Sequence, residues 1–289
     1  MRIPESELII NGDGSAFHLH IRPEQLADKV ILVGDPGRVA MVKSYFSAVT
    51  AEGASREFVW ATGCYNGQSV TVLSTGIGTD NIDIVMTELD ALANVDFETR
   101  EVRPEHRTLD ILRIGTCGAI QPEVPLGAFI FSHISVGCDG LLNWYEGRDR
   151  IALQDFEEAF KKHVHWDRHL PDPYFVRASD KLIRIFEDCT VKGMTISAPG
   201  FYGPQGRVVR QGLAMPDMLR DFESFEFDGY KITNFEMEGS ALAGLAAKLG
   251  HNAGTVCCAI AHRYHHAANT DYKPRVAELV ELALQKLTA

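Results

Sequence analysis

At 289 residues, with 45% of them hydrophobic, the chain can form one sizeable α/β core and need not divide into two domains. A formal charge of −11 argues against a nucleic-acid backbone as ligand, which calls for a basic face, but leaves room for a small anion held by a few local arginines. No apolar run approaches about 18 residues, so no helical membrane span is expected, and the opening MRIPESELIINGDG lacks the basic and apolar blocks of a secretory leader, which makes a cytoplasmic protein the expectation.

Along the chain, short apolar runs closed by Gly, Thr or Ser alternate with longer stretches of helical spacing. KVILVG (29–34) reads as a strand and RVAMVKSYF as the helix behind it. QSVTVLSTGIG (68–78) precedes the helical NIDIVMTELDALANV, and TLDILRIGTCGA (108–119) leads into GAFIFSHISVG. After 139–179, the apolar VKGMTISAP runs into GFYGPQGRVVR. KITNFEMEG (231–239) opens the helix SALAGLAAKLG, and NAGTVCCAIAHR (252–263) precedes the helical RVAELVELALQKL. This alternation predicts an α/β fold, a single domain over 1–289 with a central mixed β-sheet flanked by helices. Ligands of such folds gather at the C-terminal ends of the strands. The segment 139–179, with NWYEGRDR, a helix LQDFEEAFKKHV and the Pro-bearing LPDPYF, breaks the rhythm and is read as a peripheral excursion within the domain. The six cysteines form no CxxC pair and are expected to be reduced thiols, most of them buried.

Several constellations stand at the ends of these runs. GDPGR places Gly34 and Arg38 where a strand hands over to a helix, and unpaired backbone N–H groups there favour an anion; a plain Asp-Pro turn with a solvated arginine is the alternative. Arg113 lies inside an apolar strand beside Gly115, Thr116 and Gly118. A charge there requires a partner, either a bound phosphate or a structural carboxylate. In TGIGTDN, Asn81 occupies the place of the third small residue, so the dinucleotide pattern fails and a glycine turn remains. NFEMEGS sets Glu236 and Glu238 on either side of Met237, alternate residues sharing one face. They suit a sugar diol, or the favourable end of a helix dipole; an acid and base pair for glycoside hydrolysis would not account for the arginines. Gln205 and Arg207 stand two residues apart beside Phe201 and Tyr202. The histidines of HVHWDRH and HRYHH lack metal-ligand spacing and are read as surface or supporting groups, and His18 in FHLH is weak evidence alone.

Taken together and in order, FHL, GDPGR, SREF, STGIG, LRIGTCGA, FYGPQGR and NFEMEGS resemble the nucleoside phosphorylase family, specifically its uridine phosphorylase branch. The resemblance implies that Gly34, Arg38, Arg113 and Thr116 bind phosphate, with Arg56 reaching in from a neighbouring subunit. It implies that His18 reaches across to the ribose, that Met237 and Glu238 hold the sugar with Glu236 close by, and that Phe201, Gln205 and Arg207 receive the base. The implied catalytic set is Arg113, Arg207, Gln205 and Glu238, and the implied reaction is reversible phosphorolysis of uridine to uracil and ribose 1-phosphate. Inorganic phosphate is then a co-substrate, and neither a cofactor nor a metal is needed. Some members hold a monovalent cation between subunits with a serine near Glu57, and here Asn81 replaces that serine. The expected partners are a small-molecule nucleoside, phosphate and further copies of the chain, as a homodimer or a hexamer built as a trimer of dimers; nucleic acid and membrane are not expected.

The rivals are purine or modified-nucleoside phosphorolysis, hydrolysis by water on the same fold, and a non-catalytic nucleoside-binding sensor. VCCAIAHR offers no Asp or Glu to protonate a departing purine. The retained arginines count against water as nucleophile and against a mere sensor.

Overall fold

The computed structural model describes residues 2–263 and 265–289. In chain order the elements are β1 (Lys29–Val33), α1 (Pro36–Lys43), β2 (Ala48–Ser55), β3 (Phe58–Tyr65), β4 (Gln68–Ser74) and α2 (Thr79–Asn94). A short ribbon of β5 (Val95–Asp96) and β6 (Glu101–Val102) leads to β7 (Asp110–Ala119), β8 (Phe129–Gly137), α3 (Gln154–His163), β9 (Tyr174–Arg177) and α4 (Asp180–Phe186). The remainder is β10 (Val191–Ser197), α5 (Met218–Ser224), β11 (Glu226–Phe227), β12 (Tyr230–Glu236), α6 (Gly239–Leu249), β13 (Asn252–His262), β14 (Ala267–Ala268) and α7 (Lys273–Leu287).

All strands but the ribbon join one mixed sheet, ordered β11-β12-β10-β8-β13-β7-β1-β4-β3-β2, with β9 on β8 and β14 on β13. The strands β4, β1, β7 and β13 run parallel in turn, as do β8, β10 and β12. The two groups meet antiparallel where β13 pairs with β8. β12 also pairs back on β7 through Asn234 to Ala119 and Phe235 to Gly118, which closes β7, β13, β8, β10 and β12 into a ring. The functional motifs lie at one end of that ring.

Residue alternation explains why the inner strands are apolar throughout. Ile31, Val33, Leu112, Ile114 and Val256 point to the face covered by α1, α4 and α7, where Leu279, Val280 and Leu284 meet them. Val30, Leu32 and Ile111 point the other way, against Ile82, Val85 and Leu89 of α2 and Leu242 and Leu245 of α6. A third cluster gathers Phe156, Phe160, Phe175, Phe222, Phe225 and Phe235, so the 139–179 segment packs its aromatic residues onto the far side of the ring. This segment is also tied to the sheet itself, since β9 runs antiparallel along β8 and sets Tyr174 against Gly137. A Cβ on Gly137 would fall within 2.1 Å of the Tyr174 ring, so only glycine admits that side chain. The sequence signalled the α3 helix here but not the strand.

The strands β2 and β3, which pair with each other and lead into β4, were also not among the expected elements. They form the free edge of the sheet, with most of β2 exposed or half-exposed.

Candidate active site

Backbone irregularities prepare the site. β13 carries a bulge between Ala259 and Ala261, opposite the end of β7, which opens the sheet where a ligand could enter. Gly76 and Gly78 take φ values of 72° and 106°, and this turn brings the start of α2 over the same end. The result is a cleft of about 250 Å3 lined by Thr116, Gln205, Arg207, Glu236, Met237 and Glu238, with Ile77, Phe201 and Ile260 as apolar walls. It adjoins a wider hollow bordered by Tyr202, Val208, Val209, Arg263 and Tyr272. A hollow of about 800 Å3 beside β5 and β6 gathers none of the expected residues.

At the sugar-facing end, Arg113 is the hub. Its Nη1 lies 3.0 Å from Glu236 Oε2, and its Nη2 is ion-paired with Glu238. The buried arginine has therefore found carboxylates, the alternative left open by the sequence, and these same carboxylates line the cleft. Burial works against the Arg113 charge, but Glu238 and Glu236 outweigh it and hold its pKa above the ordinary guanidinium value. For Glu238, burial and the neighbouring Glu236 push the carboxyl up while Arg113 pulls it down, because two acids share one cation. Arg113 Nε is buried without a hydrogen-bond partner among the described residues.

Glu236 plays a different part from Glu238. Its oxygens accept the N–H groups of Glu238 (2.8 Å) and Gly239 (2.9 Å), at the start of α6, and a hydrogen bond from the Ser197 hydroxyl. The favourable position at a helix N-terminus and the position facing the cleft are thus both realised in one residue. Glu238 accepts the Gly78 N–H at 2.7 Å, so the glycine turn presents its amide to a side chain.

Arg38 projects from the first turn of α1, whose start is capped by Asp35 accepting the Gly37 N–H at 2.8 Å. Its Nη1 donates to the Ile114 carbonyl at 3.1 Å, just beyond Arg113 on β7. Burial and then repulsion by Arg113 lower the Arg38 pKa, so the two guanidiniums sense each other. No carboxylate pairs with Arg38 among the described residues. Gly34 stands at the end of β1, and Thr116 lines the cleft. Of the two guanidiniums in this corner, Arg113 is held by the carboxylates and Arg38 has no carboxylate partner among the described residues.

At the other end, Arg207 Nη1 donates to the Phe201 carbonyl and to Gln205 Oε1, both at 2.6 Å, and its guanidinium lies 3.8 Å from the centre of the Phe201 ring. Gln205 is buried, whereas Phe201 and Tyr202 are exposed. Burial and then repulsion from Arg263 bring the Arg207 pKa down to about 10. Arg263 itself is lowered by burial. It follows β13 directly and is a second cation at this end that the sequence reading passed over. The signal was available, because it is a charge directly after an apolar strand.

Arg113 meets the cleft through Glu236 and Glu238, whereas Gly34, Arg38, Arg56 and His18 are not among its lining residues. Arg56, at φ 55°, is exposed at the tip of the β2–β3 hairpin. His18 Nδ1 sits 2.6 Å from Glu88, which also accepts the N–H groups of His18 and Leu19. Asn81 donates to Glu57 at 3.2 Å and to the Thr75 carbonyl at 2.9 Å, so its amide already occupies one oxygen of that carboxylate.

All six cysteines are free, four of them buried. His163 and His169 hold surface hydrogen bonds to Ser224 and Asp167, as expected of supporting groups. His262 departs from the expected polar surroundings. It is buried, and burial lowers its pKa. Among the described residues, one group has metal-ligating residue types within reach of one another, namely Asp90, His106 and His251. There Nδ1 of His251 accepts the Leu109 N–H at 3.1 Å, which leaves the ring proton on Nε2, 3.1 Å from Asp90. That nitrogen donates to the carboxylate and has no lone pair for a metal.

Comparison with known proteins agrees with this arrangement. Residues 28–289 match the sequence model of the phosphorylase superfamily. A uridine phosphorylase of Thermococcus kodakarensis is 30% identical, over 87% of this chain and 79% of the relative. A purine nucleoside phosphorylase DeoD-type 1 of Photobacterium profundum is 26% identical over 93% and 95%. The crystal structure of Trypanosoma brucei nucleoside phosphorylase, described as showing uridine phosphorylase activity, superposes with a TM-score of 0.89 at 30% identity, covering 97% of this chain and 99% of that one. The mixed sheet, the cleft at its end and the match over nearly the whole chain agree: this protein is a member of the phosphorylase superfamily.

Proposed function

We propose that the protein catalyses the reversible phosphorolysis of uridine to uracil and ribose 1-phosphate. The observation that carries this reading is the polarity of the cleft, with paired carboxylates at one end, Gln205 and two arginines at the other, and the Arg38–Arg113 corner beside them. Phosphate is held by Gly34, Arg38, Arg113 and Thr116, and by Arg56 from a second copy of the chain. Ribose rests on Met237 and on Glu238, whose oxygens accept the sugar hydroxyls; Glu236 fixes Glu238, and His18 of the second copy reaches the sugar's far end. The base lies against Phe201 and meets Gln205 and Arg207.

The chemistry follows from these roles. As the bond from C1′ to the base nitrogen breaks, its electron pair moves onto the base and spreads over the carbonyl oxygens. Donors waiting at Gln205, Arg207 and Arg263 stabilise that charge more in the transition state than in the ground state. The sugar becomes cationic, a phosphate oxygen forms the new bond to C1′, and the proton that hydrogen phosphate gives up ends on the departed base as neutral uracil. No side chain need act as nucleophile, and the reading requires no resident cofactor or cation.

Relatives named as purine phosphorylases keep a second substrate class in view. Against it stands the end of β13, where Ala259, Ala261 and His262 offer no carboxyl group to protonate a purine. The test is release of uracil from uridine, followed by chromatography, with and without phosphate and with inosine in parallel. Phosphate-dependent release from uridine alone is expected. Release without phosphate would make the protein a hydrolase, turnover of inosine instead would overturn the base assignment, and retention of intact uridine would mean a binding protein. The shared site further requires a dimer or a trimer of dimers, which sedimentation would reveal.

A further inference from the structure

Asp139 opens the 139–179 segment, outside the cleft, and the roles assigned so far leave it unused. Its carboxylate accepts the Leu141 N–H, the Tyr174 hydroxyl and the Ser240 hydroxyl, each at 2.8 Å. No cation pairs with it among the described residues. Tyr174, Ser240 and Ser197 are all fully buried.

From Asp139 a continuous line of hydrogen bonds reaches the cleft. Ser240 is in the first turn of α6, and its hydroxyl donates to Asp139 while its N–H donates to Ser197 Oγ at 2.8 Å. With its oxygen occupied by that N–H, Ser197 turns its own proton onto Glu236. Glu236 then holds the N–H groups of Glu238 and Gly239, together with Arg113. The peptide that carries Glu238 is therefore fixed from two sides, by Glu236 directly and by Asp139 through the helix turn. Glu238 in turn reaches Gly78 and Arg113.

We propose that Asp139 is a positioning residue for Glu238, acting through Ser240 and Ser197 to set the first turn of α6. Asp139 accepts a hydrogen bond from the hydroxyl of Ser240, which is itself fully buried and so has no solvent to turn to when that acceptor is lost. Without that acceptor the Ser240 hydroxyl turns elsewhere, the bond to Ser197 weakens, and Glu238 leaves the site it shares with Gly78 and Arg113. Tyr174 binds the same carboxylate and also lies 3.1 Å from Ser240 Oγ, so it flanks the Asp139–Ser240 bond without reaching Ser197 or Glu236. The kinetic part of this proposal rests on the uridine phosphorolysis reading.

The test uses the full-length protein with Asp139→Asn, Ser240→Ala and Tyr174→Phe, each alone and with Glu238→Gln. In uracil release at saturating phosphate, the first two variants are expected to raise the KM for uridine about tenfold. That effect vanishes in the Glu238→Gln background, because non-additivity marks residues acting through one another. Tyr174→Phe removes a contact from each of Asp139 and Ser240 but leaves the bond between them, so it lowers the Tm and raises the KM by well under tenfold. An unchanged KM in Asp139→Asn, or the same tenfold change with Glu238→Gln present, would overturn the proposal. If the unmodified protein releases no uracil, the functional reading has failed, and a crystal structure of Asp139→Asn decides this proposal separately. Displacement of Glu238 from Gly78 and Arg113 supports it, and retention of both contacts overturns it.

Discussion

Arg113 and Glu238 form an ion pair in which the two residues are only 4% and 3% exposed, and the same guanidinium also holds Glu236. Water cannot take over either side of this pair, so removing the arginine leaves two buried carboxylates facing each other. Arg113→Ala is expected to destabilise the protein by about 3–5 kcal/mol, as loss of one partner of a buried pair does. Phosphate-dependent turnover should be abolished in whatever fraction stays folded. Urea unfolding and uracil release check the two parts separately, and retained turnover with normal phosphate dependence would refute the assignment of Arg113.

The placement of Arg56 predicts complementation. Arg56→Ala and Arg113→Ala should each be inactive alone. If each site takes Arg113 from one copy and Arg56 from another, a mixed dimer contains one intact site. Co-refolding the two variants should then restore roughly a quarter of the activity, because half of randomly paired dimers are mixed and each has one good site of two. No recovery would place Arg56 outside the shared site.

Arg207→Ala removes a donor from the base end and the group that orients Gln205. The loss should fall mainly on kcat, by about 100- to 1000-fold, the usual cost of one donor to developing negative charge. A change confined to KM would mean that Arg207 contributes only to binding.

Asp139 gives a pH signature. Burial raises its pKa above the ordinary 3.8, its three hydrogen bonds opposing that shift. A carboxyl whose folded pKa is raised binds its proton more tightly folded than unfolded, so stability falls as pH rises through the window above 3.8. Asp139→Asn has no such window. The Tm of the unmodified protein relative to Asp139→Asn should therefore decline from pH 4 to pH 7, and a gap that is flat or grows would contradict the burial argument.

Phe160 lies fully buried between Phe175, Phe222 and Phe225, with ring centres 5.2–5.4 Å away. Phe160→Ala should cost about 3–5 kcal/mol in urea unfolding, the range for emptying an aromatic core site. A cost below 1 kcal/mol would show that the 139–179 segment is not packed as part of the core.

The sequence was most legible where pattern and chemistry coincide. The inner strands β1, β4, β7, β12 and β13 were readable because both faces are covered, which makes their apolar runs continuous. Arg113 stood out because a charge inside an apolar strand needs a partner, and Glu236 and Glu238 because they share one face at a strand's end. The edge strand β2 was hidden, because it is largely exposed and AVTAEGAS shows no apolar run. β9 was hidden because YFVR is short and its partner strand lies 40 residues earlier, with Tyr174 opposite Gly137. Local spacing also could not show that Arg113 would be shared by two carboxylates, that Asn81 would lie against Glu57, or that Arg263 would come close enough to Arg207 to repel it. These are facts of tertiary placement.

Gln205 shows what one such placement decides. A primary amide looks nearly symmetrical, and a free glutamine can turn over to suit either a donor or an acceptor. Here Arg207 already donates to Oε1, which fixes which end is oxygen and which is nitrogen. A pyrimidine with N–H flanked by carbonyls can give its hydrogen to that oxygen and accept from the amide nitrogen. The amino-substituted pyrimidine of cytidine has a lone pair where uracil has that hydrogen, so oxygen would face nitrogen with no proton between them. On the uridine phosphorolysis reading, Arg207 two residues away would thus turn an ambivalent group into a one-way test of the base's tautomer and substituent.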